Sequence, residues 1–441
     1  MTGATDRVLS KARRVVVPDA RAKATTKRVA DKVVSRVQDA ARRHKEVTGV
    51  FLGGSYAKDT WLPGDVDIDV FVKIAPSVAE AKFEEVGLSV GEEALRGYKP
   101  GKKYAQHPYT EATVDRFKVN VVPCYDVKPG EWKSPADRSV HHVVFVKKNL
   151  DDEARVQVRL LKRFMKAVGV YGAEIEKEGF SGYAAEVLIY SYTTFESTLR
   201  SFAVFVPDSD EEYFTLFDPI DDKRDLGKAM SKETVARMVV ASRAFIESPS
   251  LEFFKNVSGK ARPNLERLLY VIAFEHEELS EDTLWGELKR SARQIAKHLR
   301  EEGFTLARVS AATDRVRSSA IILLPVVDAL PDLEERVGPG IELAEGAKSF
   351  AARNRASAEL IWVAVDGRLH LLTRRRFASL SEFLDEIIES RVDTVGISKS
   401  VSKALKDNGR VIRGEKLRKE AAKKPWLREA LAQVLSDSVG T

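Results

Sequence analysis

The chain has 441 residues, more than one hydrophobic core accommodates, so two to four domains are expected. Its residues are 44% hydrophobic and 31% charged, and no uninterrupted apolar run approaches the roughly 20 residues of a membrane helix, which excludes a membrane-spanning protein. The net charge of +6 is a mild excess, and the only cysteine, Cys124, excludes an internal disulfide framework and a cysteine-rich zinc site.

The N-terminal part of the chain predicts an α+β unit. Met1 to Arg14 carries basic residues with no apolar stretch after them, so we predict no secretory signal and a cytoplasmic protein. Apolar residues three and four positions apart predict an amphipathic helix over 26–43. β-Branched and apolar runs predict three strands, the third closed by Pro123: 49–52, 66–74 and 117–122. This first domain is expected to cover 1–148.

The remaining two thirds of the chain predict two further units. Apolar residues at helical spacing predict a helical domain over 149–256. A mixed unit over 257–441 follows, with a further helix expected to begin after Ser379. Its other predicted elements are strands over 268–274 and 319–325 and helices over 283–302 and 345–355. The predicted fold class is therefore α+β, multidomain.

The positive charge is concentrated near the C-terminus. Residues 399–428 hold eleven Lys or Arg against three Asp or Glu, a net charge of +8, whereas the rest of the chain is nearly neutral. A lysine-rich solvated helix face and a surface for a polyanionic partner explain such a run equally well.

The residues that carry chemistry lie between 53 and 69. A glycine turn, Gly53-Gly54-Ser55, offers backbone N–H groups and a hydroxyl to a phosphate. About ten residues later, Asp67 and Asp69 alternate with apolar residues, so on a strand both carboxylates share one face. Paired aspartates also occur on exposed strand faces, but with the turn upstream we predict that they bind Mg²⁺.

The turn and the paired aspartates resemble the signature of the nucleotidyltransferase superfamily that includes DNA polymerase beta and the poly(A) polymerases. A series of further motifs, in order and in spacing, resembles the class I (archaeal) CCA-adding enzymes from about residue 15 to 256, and more loosely beyond. These motifs are His107-Pro108-Tyr109, Val121 to Tyr125, Asp137-Arg138-Ser139, Arg159 to Lys162, Tyr171 to Glu174, Gly179 to Tyr183, Asp218-Pro219 with Lys223-Arg224, and Ser248 to Leu251 with Phe253-Phe254.

This resemblance implies a polymerase-beta-like head with a mixed sheet, a helical neck, and an α+β body and tail. It implies addition of CCA to the 3′ end of tRNA from CTP and ATP without a nucleic-acid template, with two Mg²⁺ ions. The implied partners are the acceptor and T-arm half of tRNA and, in a homodimer, a second copy of the chain.

The resemblance also assigns expected roles to individual residues. Asp67 and Asp69 match the first two metal-binding carboxylates, and Arg224 matches the arginine that reads the incoming base. The adjacent His141 is a rival for the position of His142. The positions expected to contact the nucleotide are Ser55, Lys58, His142, Lys162, Tyr171 and Arg224.

One position departs from the family pattern. Asn120 stands where the third catalytic, metal-binding aspartate is expected, and an amide offers a carbonyl oxygen but no charge. Asp115 lies five residues earlier, and this odd offset places it on the opposite face of the strand. We therefore predict that the chain binds tRNA and Mg-nucleotide but adds nucleotides very slowly. A deliberate inactivating substitution is the preferred interpretation over a naturally degenerate copy.

Two rival functions remain open from the sequence. Another template-free polymerase, such as a poly(A) polymerase or an oligoadenylate synthetase, shares the glycine-serine turn and the paired aspartates. A non-catalytic tRNA-binding pseudo-enzyme would use the same surfaces with inactive chemistry. Reversal of Asn120 to aspartate discriminates between the two, because restored activity would indicate an inactivated enzyme.

Overall fold

The computed structural model describes residues 3–104, 107–207, 209, 213–255 and 263–436. These fall into two compact units, one holding the described residues up to 255 and the other 263–436. Within the described ranges, none of the helices combines the length and the apolar character needed to cross a membrane.

The first unit contains nine α-helices and seven strands among its described residues. They are α1 (Gly3–Val16), α2 (Ala20–Ala41), β1 (Val47–Leu52), α3 (Gly54–Ala57), β2 (Ile68–Ile74), α4 (Glu80–Ala94), β3 (Gly101–Tyr104), β4 (Pro108–Val114), β5 (Phe117–Tyr125), α5 (Asp137–Asn149), α6 (Asp152–Ala167), α7 (Gly182–Tyr192), α8 (Phe195–Ala203), β6 (Phe217–Asp218), β7 (Asp221–Asp225) and α9 (Lys232–Glu247).

Five strands form one mixed sheet in the order β1-β2-β5-β4-β3, in which β2 and β5 run parallel and the other neighbours antiparallel. Ile68 and Val70 of β2, with Val119 and Val121 of β5, pack against α2 and α4 in one buried cluster. Because successive side chains on a strand alternate between faces, Asp69 and Asn120 point to the opposite side. One face of the sheet thus packs against α2 and α4, and the other carries Asp69 and Asn120 beside a smaller apolar cluster that includes Phe71 and Cys124.

The strand β5 runs past Pro123, which was expected to close it. Pro123 pairs with Val72 of β2, whereas the pairing with β4 ends at Val121 opposite Thr110. The proline therefore lies beyond the last residue pair between β4 and β5, where the missing N–H group removes no bond to β4. The prediction that β5 ends at Val122 was wrong for this reason.

The segment predicted to be helical contains α6 to α9, and these helices surround an aromatic core. Phe164 packs edge-on to Phe195 and Phe245 and is stacked on Phe253 at 5.7 Å between ring centroids. The short hairpin of β6 and β7 was not predicted, because it lies in a polar stretch without alternating apolar residues. It carries Asp218 and Arg224.

The second unit contains a four-stranded antiparallel sheet in the order β14-β8-β10-β9 and a three-stranded sheet in the order β11-β13-β12. The predicted strands and helices occur here, with ends shifted by a few residues. The elements are β8 (Tyr270–Glu275), α10 (Glu281–Glu301), β9 (Leu306–Thr313), β10 (Ser318–Pro325), β11 (Leu333–Gly340), α11 (Ala344–Asn354), β12 (Ala358–Val363), β13 (Arg368–Arg374), α12 (Leu380–Glu386), α13 (Lys399–Asn408), β14 (Arg410–Arg413), α14 (Gly414–Lys423) and α15 (Pro425–Val434). The multidomain α+β class is confirmed.

Candidate active site

The glycine turn between β1 and α3 lies directly against the aspartate strand. Gly54 has φ of +66°, a left-handed conformation that favours glycine, and a methyl group on it would overlap the Asp69 carboxylate. Gly53 in turn approaches the ring of Phe71, which leaves no room for a side chain there. The two glycines therefore bring Ser55 next to Asp69.

Ser55 and Asp69 border a cavity of about 430 Å³ in the first unit. It brings together four of the predicted site residues, Ser55, Asp67, Asp69 and Tyr171. Its other lining residues are Asp65, Lys166, Gly172, Ala173, Glu174, Ser181 and Gly182. The cavity thus combines hydroxyl groups, carboxylates and one ammonium group, the groups that a metal-bound phosphate requires.

Lys166 is a cavity residue that the sequence analysis missed. Its Nζ lies 2.7 Å from Asp65 Oδ2 and 4.5 Å from the centroid of the Tyr171 ring. It follows Lys162 by one helical turn on α6, and that spacing is the signal that would have identified it.

The two aspartates are in an environment that disfavours their negative charge. Burial, and then the neighbouring charge of Asp69, raises the pKa of Asp67. Burial also raises the pKa of Asp69, while the hydrogen bond from Asn120 opposes that rise. A divalent cation would relieve this unfavourable accumulation of charge, so the donor set fits Mg²⁺.

Asn120 lies beside Asp69 and is only 9% exposed. Its Nδ2 donates a hydrogen bond to Asp69 Oδ1 at 2.8 Å, and its Oδ1 is buried with no hydrogen-bond partner in the described part of the chain. The reverse amide orientation would set two oxygen atoms against each other, so this one is favoured. Asn120 therefore offers a cation one neutral oxygen ligand where a carboxylate was expected.

Lys58 and Lys162, which were predicted to contact the nucleotide, both contact a buried glutamate. Both ammonium groups contact Glu186 of α7, at 2.5 Å for Lys58 and 2.9 Å for Lys162, and Thr60 donates a hydrogen bond to the same carboxylate. All four side chains are buried, and neither lysine is among the described residues that line the cavity. Both lysines therefore belong to a buried ionic network that is centred on Glu186.

The charges of this network stabilise one another. Burial alone would raise the pKa of Glu186, but the attraction of Lys162 and Lys58 lowers it to about 2. Burial lowers the pKa of Lys162 to about 8, although Glu186 opposes that change. Glu186 was missed by the sequence analysis, and its signal was a single charge within the apolar segment Tyr183 to Ile189.

The remaining predicted residues, His142 and Arg224, meet at Asp218. Asp218 Oδ2 lies 3.2 Å from His142 Nε2 and accepts a hydrogen bond from Arg224 Nη1 at 3.1 Å. Tyr183 donates to the other carboxylate oxygen at 2.8 Å and stacks on the His142 ring. His141 instead contacts the backbone oxygen of Val127 and packs against Trp132. This arrangement favours His142 over its neighbour.

Asp218 is 1% exposed. The sequence indicated it only as part of the Asp218-Pro219 motif, without a role of its own. Burial by itself raises its pKa, but hydrogen bonds from His142, from the backbone N–H of Ile220 and from Tyr183 lower it to about 2. Burial also lowers the pKa of His142, which favours its neutral form near pH 7. A permanently charged Asp218 therefore fixes both His142 and Arg224.

Models of known families match three successive segments of the chain. A nucleotidyltransferase domain matches residues 34–146, the second domain of tRNA nucleotidyltransferase matches 156–255, and the C-terminal domain of CCA-adding enzyme matches 266–414. The chain is similar along nearly its whole length to archaeal proteins named CCA-adding enzyme. That of Methanopyrus kandleri is 34% identical over 98% of this chain and 97% of its own length, and that of Archaeoglobus fulgidus is 31% identical over 94% and 96%. A third relative, from Sulfurisphaera tokodaii, is 35% identical over 76% of this chain and 81% of its own length. The chain therefore belongs to the family of the CCA-adding enzymes, the tRNA nucleotidyltransferases.

Proposed function

We propose that this protein adds the sequence CCA to the 3′ end of tRNA from CTP and ATP, with Mg²⁺ and without a template. The observation that supports this most directly is the cavity in which the glycine-serine turn meets Asp67 and Asp69. Membership of the family supplies the identity of the nucleotides and of the RNA. We place the reaction in the cytoplasm.

Different residues around this cavity would have different roles in the reaction. When bound, two Mg²⁺ ions neutralise the triphosphate and polarise the attacking 3′-hydroxyl of the RNA. Asp67 and Asp69 would hold them, and the Asn120 carbonyl oxygen would add a neutral ligand. Ser55 would donate a hydrogen bond to the triphosphate, and Tyr171, which also lines the cavity, would contact the nucleotide.

Lys58 and Lys162 would act on the triphosphate from their buried ionic network. Each shares Glu186, so the two ammonium groups carry one net positive charge between them and the carboxylate. A charge held in a buried and rigid network acts on a nearby anion without reorganising. This role differs from the direct contact expected from sequence.

Selection of cytidine and adenosine would fall to Arg224. Its guanidinium is 38% exposed and is held by Asp218. Its other N–H groups have no partner within the described ranges, so they can face a base edge at a fixed angle. His142 would support the same carboxylate from the other side.

The second unit would bind the tRNA backbone. Arg374, Arg375 and Arg376 each form an ion pair with a glutamate, so they are partly neutralised. Exposed lysines of α14 such as Lys416 and Lys423 are better placed to contact phosphates. RNA recognition through shape and phosphates suits such a surface, because A-form grooves hide the base edges. We also propose that the protein acts as a homodimer.

Asn120 would make this chain a slow enzyme. Loss of a carboxylate that accepts the proton of the attacking hydroxyl costs about 10²–10⁴-fold in rate. Exchange of Asp for Asn preserves shape and removes charge, so we propose that position 120 is an inactivating substitution.

The test is nucleotide incorporation into a tRNA transcript that lacks its CCA end, with this chain and with the variant Asn120→Asp. We expect the variant to add two cytidines and one adenosine and then stop. Asp69→Asn in the same variant should abolish addition. A long homopolymer would favour a poly(A) polymerase. Binding of tRNA without incorporation by either protein would favour a non-catalytic tRNA-binding protein.

A further inference from the structure

The polar face of the five-stranded sheet carries a row of three side chains on three neighbouring strands. Asn120 of β5 pairs with Asp69 of β2 on one side and with Glu111 of β4 on the other. Residues directly paired across strands project to the same face, with Cβ atoms about 5 Å apart. Glu111 therefore stands next to the position where the third carboxylate is missing.

Glu111 is held there by a lysine on the same face. Its Oε2 lies 2.9 Å from Nζ of Lys118, which precedes Asn120 by two residues on β5. The side chain of Glu111 is 22% exposed, and that of Lys118 is 49% exposed. The charges of both residues also act on the pKa of Asp67. Asp67, Asp69, Glu111 and Lys118 thus share one electrostatic environment.

Asn120 supplies an independent sign of a ligand at this place. The residue is more than nine-tenths buried, and its Oδ1 has no hydrogen-bond partner within the described ranges. A buried acceptor without a partner costs free energy unless a donor or a cation completes it. Asn120, which carries this oxygen, lies in the row between Asp69 and Glu111.

We propose that Glu111 replaces the missing carboxylate of position 120 and serves as the third acidic ligand of the divalent cation. This inference rests on the proposed function for its chemistry. Adjacent strands lie about 4.8 Å apart, and a glutamate has one more methylene group than an aspartate with which to span that gap. In the absence of a cation, the ammonium group of Lys118 neutralises Glu111.

Asp115 does not compete for this role. It lies in the turn between β4 and β5 with φ of +46°, and its carboxylate faces Arg28 and Lys32 of α2 at 3.5 and 3.6 Å. Asp115 therefore serves as a matched control, because it is a carboxylate of the same hairpin directed away from the row.

The test is the binding of Mn²⁺ to the full chain, measured from the EPR signal of the free ion without nucleotide or RNA. Four variants are compared: Lys118→Gln, Glu111→Gln, the two combined, and Asp115→Asn. Lys118→Gln should bind Mn²⁺ more tightly than the unchanged chain, because Glu111 is released. Adding Glu111→Gln to Lys118→Gln should then weaken binding by about tenfold or more. Asp115→Asn should change nothing.

The comparison in the Lys118→Gln background is decisive. If Glu111 only neutralises Lys118, its removal has no effect once the lysine is gone, and the double variant would bind Mn²⁺ as Lys118→Gln does. That result would overturn the proposal. An equal loss of affinity in Asp115→Asn would also overturn it, because it would indicate a nonspecific effect of charge.

Nucleotide incorporation separates this inference from the proposed function. Glu111→Gln should reduce CTP incorporation at least tenfold in the chain with Asn120, but by much less in Asn120→Asp, where position 120 supplies the carboxylate. If Asn120→Asp adds no nucleotide while Mn²⁺ binding still depends on Glu111, the proposed function fails and the cation site stands. Equal losses in both backgrounds would contradict the replacement.

Discussion

The buried network around Glu186 allows a quantitative prediction for the variant Glu186→Gln. Glu186 is fully buried, and Lys162 and Lys58 lower its pKa from 4.5 to about 2. That difference corresponds to roughly 3 kcal/mol of stability at neutral pH. Breaking a buried ion pair by removing one partner costs about 3–5 kcal/mol, in the same range. We expect Glu186→Gln to destabilise the first unit by about 3 kcal/mol.

The pH dependence of the free energy of unfolding distinguishes the loss of these ion pairs from a packing defect. A carboxylate whose pKa is lowered on folding stabilises the protein above its unfolded pKa of 4.5, and this stability is lost as pH falls through about 2. The difference between the unchanged chain and Glu186→Gln should therefore shrink below pH 4.5.

Urea denaturation followed by circular dichroism at pH 7 and at pH 3.5 measures both quantities. Glu233→Gln is the matched control, because Glu233 is exposed and paired with Arg237 on the surface of α9. Its effect should stay within about 0.5 kcal/mol. Equal destabilisation by Glu186→Gln at both pH values would refute the electrostatic account.

Three further predictions concern binding. Asp218→Asn should weaken the binding of CTP and ATP, measured by calorimetry, by about tenfold or more. Arg224 then loses a charged hydrogen-bond partner worth about 1.5–3 kcal/mol. Unchanged affinity for both nucleotides would contradict the role of Asp218. Gly54→Ala should reduce Mn²⁺ affinity because the added methyl group overlaps Asp69, whereas Gly64→Ala, also at positive φ but with open space around it, should not. Affinity for tRNA should fall steeply with salt, and Lys416→Ala should lower the slope of log K against log salt by about one; an unchanged slope would place the RNA elsewhere.

The parts of the site that lie close together in sequence could be predicted from it. Gly54 and Ser55 lie in the glycine turn, Asp67 lies directly before the next strand and Asp69 lies within it. Local patterning was therefore sufficient to place them together. The position of Asn120 beside Asp69 could also be predicted, once the strand of Asn120 was assumed to neighbour the strand of Asp69.

The parts that depend on distant segments could not be predicted. Lys58 and Glu186 are 128 residues apart, and no periodic pattern shows that a lysine expected to bind phosphate is neutralised by a helix so far away. Glu111 faces Asn120 only because of the register of a hairpin whose turn holds Asp115. Register and long-range pairing are properties of the whole sheet, and a single sequence does not reveal them.

The central claim is that Asp67, Asp69 and position 120 form the cation site of a tRNA nucleotidyltransferase, and single-turnover incorporation of CTP into tRNA lacking CCA tests it most directly. We expect Asn120→Asp to raise the rate of incorporation by about 10²–10⁴-fold at saturating Mg²⁺. An unchanged rate in a variant that still binds tRNA and CTP would contradict it.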